Sequence, residues 1–216
     1  MTNQNLKRFF NSLAILSFIS ILFVFIDIAK APPCVLRSPD KDVYTLYPDA
    51  TGYKAVFRDM SLQMQSEIER FLGEPLGYGE KGSHCIYLVF KEEKPIGFIH
   101  PHSESGKYGA IEMLWAYTLE GKIIDFIIQR SREPKTNELR SELFRSQFKN
   151  KMLTDPFVLP VINELNREII TPVKRAEEVS YIIAYSAIKV GAFKKFVFMD
   201  VVDEAKRIEK EASGNY

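Results

Sequence analysis

The stretch that decides the fold covers residues 85–129 and reads CIYLVFKEEKPIGFIHPHSESGKYGAIEMLWAYTLEGKIIDFIIQ. It contains four short runs that are rich in apolar, β-branched and aromatic residues, separated by turns that contain charged residues or glycine. The four runs are residues 85–90, 95–100, 110–117 and 123–129. We predict two antiparallel strand pairs, the first closed by a charged turn and the second by a Glu-Gly turn.

A helical pattern precedes these strands at residues 61–72. Apolar residues recur there at helical spacing, and Ser61 is placed to cap the first free amides. Gly73 and Pro75 are typical of the end of a helix. The loop at residues 77–82 contains three glycines, but it lacks the lysine and hydroxyl residue of a phosphate-binding loop. We interpret it as a flexible turn.

Three more helical patterns follow the strands. The first has an apolar face, and the residues on that face are Leu143, Phe144, Gln147 and Phe148. Residues 176–190 predict a long, largely buried helix that Gly191 ends, and residues 201–210 predict a charged helix. Strands followed by helices indicate an α+β domain, in which an antiparallel sheet is flanked by helices.

The N-terminal residues 9–29 form an almost unbroken apolar run after Lys7 and Arg8. About 20 residues of helix cross the hydrocarbon core of a bilayer, so this run predicts a transmembrane helix with its N-terminus in the cytoplasm. The rival is a signal peptide cleaved after the small-x-small sequence at residues 29–31. Pro32 would be a poor first residue of a mature protein, and we therefore predict an uncleaved anchor.

The bulk composition excludes one class of function. The 216 residues include 29 basic and 28 acidic side chains and are 46% hydrophobic, which is enough for one substantial core without disulfides. A nearly neutral chain argues against a nucleic-acid-binding protein. Cys34 and Cys85 stand in unrelated contexts, so we predict a buried thiol at Cys85 and not a disulfide. The prolines at residues 32–33 also argue against Cys34 as a lipoprotein cysteine.

The histidines raise the question of a metal or haem site. His100 and His102 flank a proline, and His84 lies elsewhere in the chain. Two histidines can ligate a metal or haem, but no acidic or thiol ligand accompanies them in the sequence and two histidines seldom complete a site. We predict solvated loop histidines and no metal.

Residues 130–174 carry three motifs in a fixed order. These are a charged turn at Arg132 and Glu133, the run Gln-Phe-Lys-Asn-Lys at residues 147–151, and the tetrapeptide Thr-Pro-Val-Lys at residues 171–174. Their order resembles the FMN-binding domain family, the extracytoplasmic flavin module of Rnf-type and sodium-pumping NADH:quinone reductase complexes. A Gly-Lys-Tyr-Gly segment at residues 106–109 also resembles the family.

The tetrapeptide departs from the family pattern of Ser/Thr-Gly-Ala-Thr, whose last threonine carries FMN through a phosphoester. Thr171 matches its first position, whereas Pro172, Val173 and Lys174 do not match the others. Proline offers no N–H to a phosphate, and an amine cannot form the same ester. We therefore expect no cofactor, with noncovalent FMN as the alternative. The resemblance gives candidate FMN-binding residues only if FMN is retained: Thr171, Lys174, Arg132, Glu133 and Gln147.

The resemblance covers most of the part that follows the predicted anchor. We predict a cytoplasmic tail (1–8), a transmembrane anchor (9–29), a linker (30–42), an FMN-binding-like domain (43–191) and a C-terminal extension (192–216). The aromatic residues of the extension either close the core or cover a partner subunit.

The expected function is that of an accessory subunit, without catalytic activity of its own, in a membrane electron-transfer or photosynthetic-type complex. The alternative is an electron-transfer flavoprotein that holds FMN noncovalently. Either function places the chain in the bacterial inner membrane as a single-pass protein, with its domain on the periplasmic side. The expected partners are integral membrane redox subunits and lipid, and nucleic acid is not expected.

Overall fold

The computed structural model of this chain describes residues 39–152 and 171–214. The predicted anchor at residues 9–29 and most of the predicted linker therefore lie outside the described residues. Within the two described ranges, no helix is both long enough and apolar enough to cross a membrane.

A five-stranded antiparallel sheet forms the centre of the described part, with each strand next to its neighbour in sequence. The strands are β1 (Gly52–Asp59), β2 (Ser83–Lys91), β3 (Lys94–Gly106), β4 (Gly109–Tyr117) and β5 (Ile123–Arg130). The four predicted strands are confirmed. The sequence did not predict β1, an edge strand whose apolar residues are interrupted by Lys54 and Arg58.

Helices cover the sheet, and the predicted α+β class is confirmed. They are α1 (Asp40–Leu46), α2 (Leu62–Leu72), α3 (Thr136–Leu139), α4 (Glu142–Arg145), α5 (Glu177–Phe196) and α6 (Met199–Ala212), with a short 3₁₀ turn at Tyr78–Glu80. The predicted caps of α2 are present, because Ser61 Oγ accepts a hydrogen bond from Met64 N–H and Gly73 adopts a left-handed φ of 75°. The helix α1 begins inside the predicted linker.

The two faces of the sheet bury separate apolar clusters. On one face, α2, α5 and α6 pack over inward side chains such as Ile86, Phe98 and Trp115. On the other face, α1 packs Val43 and Leu46 against the alternate strand residues. This alternation follows from the two-residue period of a strand. The buried indole N–H of Trp115 donates to Ser186 Oγ at 3.0 Å, which attaches α5 to the sheet.

The helix α5 continues beyond its predicted end at Gly191. Gly191 and Ala192 are buried, and Phe193 is fully buried within the core on the last turns of the same helix. A glycine inside a helix costs only about 1 kcal/mol relative to alanine, and the burial of Phe193 outweighs that cost. Phe193 and Phe198 therefore close the core, whereas Met199 is exposed.

The predicted helix that carries the Gln-Phe-Lys-Asn-Lys run is shorter than expected. The one-turn helix α4 ends at Arg145, and residues 146–150 form turns. Asn150 has a left-handed φ of 65°, and its N–H donates to Ile123 O at 2.8 Å. The chain therefore leaves the helix to pair with the start of β5. Within α4, Phe144 is buried, whereas Leu143, predicted to lie on the same apolar face, is 83% exposed.

The prediction of a free thiol at Cys85 is wrong. Cys85 is buried on β2 and is disulfide-bonded. The one other cysteine in the sequence is Cys34, which lies outside the described residues. The prediction failed because the sequence context of a cysteine does not indicate whether its thiol is paired in the folded protein.

Candidate functional site

A cavity of about 650 Å³ opens between the α3–α4 segment and the tetrapeptide at residues 171–174. Its volume lies in the range of small-molecule sites. The lining residues include three of the predicted site residues, Gln147, Thr171 and Lys174. Arg132 and Glu133 are not among them. The lining combines apolar groups with the amine of Lys174 and with Lys135, which pairs with the carboxylate of Glu138 at 2.6 Å.

The side chain of Gln147 holds the tetrapeptide in place. Its Oε1 accepts a hydrogen bond from Thr171 N–H at 2.5 Å, and its Nε2 donates to Thr171 O at 3.3 Å. The amide therefore pairs with the backbone of Thr171 through both of its polar atoms, as a neighbouring strand would. Nε2 also lies 3.3 Å from Phe144 O. In this structure Gln147 is a positioning residue for the tetrapeptide.

The backbone of the tetrapeptide does not form a phosphate cradle. Thr171 N–H donates to Gln147, Val173 N–H donates to Ser180 Oγ at 2.9 Å, and Pro172 has no N–H. Phosphate sites at helix starts need several free N–H groups that point at the ligand. These residues therefore do not fit the backbone site that the family resemblance implies for covalent FMN, and Lys174 lacks the hydroxyl for the ester.

The start of α5 is already occupied by a carboxylate of the same chain. Arg175 has a left-handed φ of 67°, and its N–H donates to Glu177 Oε1 at 3.0 Å. This hydrogen bond lowers the pKa of Glu177. The N-terminus of a helix favours negative charge, so Glu177 takes the place where an external anion would bind.

Glu133 connects the charged turn to the β3–β4 hairpin. It is buried, and its Oε1 accepts a hydrogen bond from Tyr108 N–H at 2.7 Å. The same carboxylate leaves no room for a side chain at Gly106. Of the two residues of the charged turn, only Arg132 is exposed. Glu133 has a structural role in joining the two segments.

The three histidines of the chain form part of a second polar cluster. The prediction of solvated loop histidines is wrong, because His84, His100 and His102 are buried and lie on β2 and β3. They surround Phe193, whose ring stacks on His84 at a centroid distance of 4.4 Å. The prediction that no acidic group accompanies them is also wrong, since Glu104 lies two residues after His102 on the same face of β3.

Charged groups complete this cluster. Lys189 of α5 places its Nζ 2.7 Å from Glu80 Oε1 and 3.1 Å from Glu104 Oε2. His102 Nε2 lies 2.8 Å from Glu104 Oε1. Burial alone would raise the pKa of Glu104, but the hydrogen bond from His102 and the charge of Lys189 outweigh it and lower the pKa. Similarly, burial alone would lower the pKa of Lys189, but the two carboxylates outweigh it and raise the pKa.

The histidine cluster makes the stability of the fold depend on pH. Burial lowers the pKa of His84 from 6.5 to about 4, although its ring contacts Glu80 O at 3.0 Å. Neutral, buried His84 contributes fully to the stability of the fold above its unfolded pKa of 6.5. This contribution is lost as the pH falls towards 4, because the unfolded chain takes up a proton before the folded chain does. On acidification from about pH 7.5 to about pH 5, we expect the protonation of His84 in the unfolded chain to lower the free energy of unfolding by about 2 kcal/mol.

Urea unfolding of the wild type and of His84→Gln at both pH values measures this effect. The variant should lose about 2 kcal/mol less than the wild type on acidification. Equal losses in both proteins would contradict the assignment to His84.

A comparison with curated proteins finds a relative that belongs to a redox complex. Over 94 residues the chain is 40% identical to a subunit of the proton-translocating ferredoxin:NAD(+) oxidoreductase complex of Clostridium ljungdahlii. The match covers 42% of this chain and 51% of that protein, so the chain spans about half the length of this relative. No protein-family model matches the chain. The sequence is thus similar to part of one component of a redox complex.

Proposed function

We propose that this chain is an accessory subunit of a membrane electron-transfer complex, built on an FMN-binding-like domain that carries no covalent flavin. The similarity to a component of a ferredoxin:NAD(+) oxidoreductase complex supports the redox-complex part of the proposal. The domain would support assembly of the complex or dock a redox partner, and would have no catalytic activity of its own.

The observation that carries the loss of covalent flavin is the hydrogen bonding of the tetrapeptide at residues 171–174. Gln147 and Ser180 use the N–H groups of Thr171 and Val173, and Lys174 stands where the family has its flavin-bearing threonine. The two internal hydrogen bonds stabilise this segment without any ligand. The resemblance of the three motifs then reflects a retained fold, because a fold can persist after a site has changed.

The proposed location is the bacterial inner membrane, with a single N-terminal span and the domain on the periplasmic side. The apolar run at residues 9–29 and its preceding basic pair support this topology. The disulfide at Cys85 supports it independently, because disulfides persist in oxidising compartments such as the periplasm. Integral membrane redox subunits and lipid would be the partners.

The cavity favours a second candidate function, an electron carrier with noncovalent FMN. A volume of about 650 Å³, apolar lining and the amine of Lys174 suit a planar apolar ring that carries an anionic tail. In this case Lys174 would attract the phosphate as a point charge, whereas Lys135 is paired with Glu138 at 2.6 Å. The N–H groups of Thr171 and Val173 would contribute little, since they donate within the chain, and Pro172 has none.

Visible absorption of the purified full-length protein, before and after denaturation and filtration, tests these functions. The accessory role predicts no flavin absorption in either fraction. Flavin released on denaturation would overturn the accessory role and support the noncovalent carrier, whereas flavin that stays with the denatured chain would overturn both.

In parallel, the chain should copurify from solubilised membranes with redox-active integral subunits. Purification as an isolated monomer would contradict membership of a complex.

A further inference from the structure

The polar cluster beneath α5 has the composition of a metal site. Glu80 ends the 3₁₀ turn, and His102 and Glu104 lie two residues apart on one face of β3. One ligand atom from each residue lies within 4.8 Å of the other two. Their side chains are no more than 15% exposed, so these groups face each other and not solvent.

The same cluster already binds a positive charge. The ammonium of Lys189 contacts both carboxylates, at 2.7 Å from Glu80 Oε1 and 3.1 Å from Glu104 Oε2. With its proton on Nε2, His102 donates to Glu104 and offers no acceptor to the ammonium, whereas with the proton on Nδ1 the Nε2 lone pair can bind a metal. A divalent transition metal would bind all three groups, because neutral imidazole and carboxylate are both ligands of such ions.

The distances between the ligand atoms suit the replacement of the ammonium by a metal ion. His102 Nε2 lies 2.8 Å from Glu104 Oε1 and 4.0 Å from Glu80 Oε1. Ligands at roughly 2.0–2.2 Å from a zinc ion lie about 3–4 Å apart, so small side-chain movements would complete the site. The ring of Tyr185 lies 5.3 Å from Lys189 Nζ and offers a face that can hold the displaced ammonium.

A second, independent feature points to a ligand at this place. His100 is 1% exposed, and its Nδ1 has no hydrogen-bond partner in the described part of the chain. Its ring centroid lies 6.5 Å from that of His102. Buried polar atoms are rarely left without a partner, and a bound ion is one of the explanations for such an atom in a folded protein.

We propose that Glu80, His102 and Glu104 form a binding site for a divalent transition metal such as Zn²⁺, in which the metal competes with the ammonium of Lys189. The site is separate from the cavity at residues 171–174, since none of its residues lines that cavity. Metal binding would replace the contacts that Lys189 makes between α5 and β3.

Isothermal titration of the metal-free full-length chain with Zn²⁺, in detergent and without a histidine tag, tests the site. We expect one Zn²⁺ per chain. His102→Gln and Glu104→Gln should each weaken binding at least about tenfold. Glu93→Gln is the matched control, because Glu93 is exposed in the β2–β3 turn, and it should bind as the wild type does.

Lys189→Met separates metal binding from a purely structural cluster. Without the competing ammonium, the variant should bind Zn²⁺ more tightly than the wild type, and Zn²⁺ should raise its thermal unfolding midpoint by more. Circular dichroism checks that each variant is folded. The proposal is wrong if Zn²⁺ does not bind the wild type, if the His102 or Glu104 variants bind like the wild type, or if Lys189→Met gains no affinity.

Discussion

Replacement of Phe148 by alanine is expected to lower the free energy of unfolding by about 3–5 kcal/mol. Phe148 is buried at the centre of an aromatic group, with ring centroids 5.5 Å from Trp115, 5.3 Å from Phe126 and 5.5 Å from Phe144. Its removal would leave a cavity between the α4 segment and the sheet. Chemical denaturation with urea, followed by far-ultraviolet circular dichroism, measures the change.

Leu143→Ala is the matched control for this prediction. Leu143 was predicted to share an apolar face with Phe148, but it is 83% exposed, so its removal should change stability by less than about 0.5 kcal/mol. Similar losses in the two variants would show that the packing of this segment differs from the structure described.

Lys189→Met is expected to cost about 3–5 kcal/mol in the metal-free protein. The substitution leaves Glu80 and Glu104 facing each other without the ammonium that neutralises them. Removal of one partner from a buried ion pair strongly destabilises a fold, because the remaining charge keeps its desolvation penalty. Urea unfolding at neutral pH in the presence of a chelator measures this effect.

Two further variants establish the cause. Lys206→Met removes an exposed lysine from α6 and should have little effect. The triple variant Glu80→Gln, Glu104→Gln and Lys189→Met should recover much of the lost stability, because it removes the uncompensated charges together. A triple variant less stable than Lys189→Met alone would contradict an electrostatic cause.

The central strands were predictable because their signal is local. In residues 85–129 the apolar runs and polar turns follow each other at strand length, and the structure places a strand over each run. The edge strand β1 has a weaker signal, because Lys54 and Arg58 interrupt its apolar residues. The end of α5 is not predictable from Gly191 alone, because the burial of Phe193 that extends the helix depends on the whole fold.

The polar sites were less predictable because they depend on contacts between distant segments. Gln147 pairs with the backbone of Thr171, 24 residues away, and Lys189 reaches Glu80, 109 residues away. No spacing rule gives such contacts. The spacing of His100, His102 and Glu104 is a local signal in the histidine cluster, since residues two apart on a strand share a face.

The motifs that resemble the FMN-binding family have structural roles in this chain that need no flavin. Phe148 packs in the core, Gln147 holds the backbone of Thr171, and Glu133 joins the charged turn to the β3–β4 hairpin. These roles account for the motifs without a bound cofactor. Whether residues 171–174 carry a covalent flavin is therefore the central question for the proposed function.

Peptide mass spectrometry of the denatured protein, purified from cells that produce it naturally, tests this point most directly. The account predicts that the proteolytic peptide with Thr171 to Lys174 has the mass of its unmodified sequence. A peptide whose mass is greater by that of a flavin mononucleotide, with the flavin attached at Thr171 or another residue of the segment, would contradict the account.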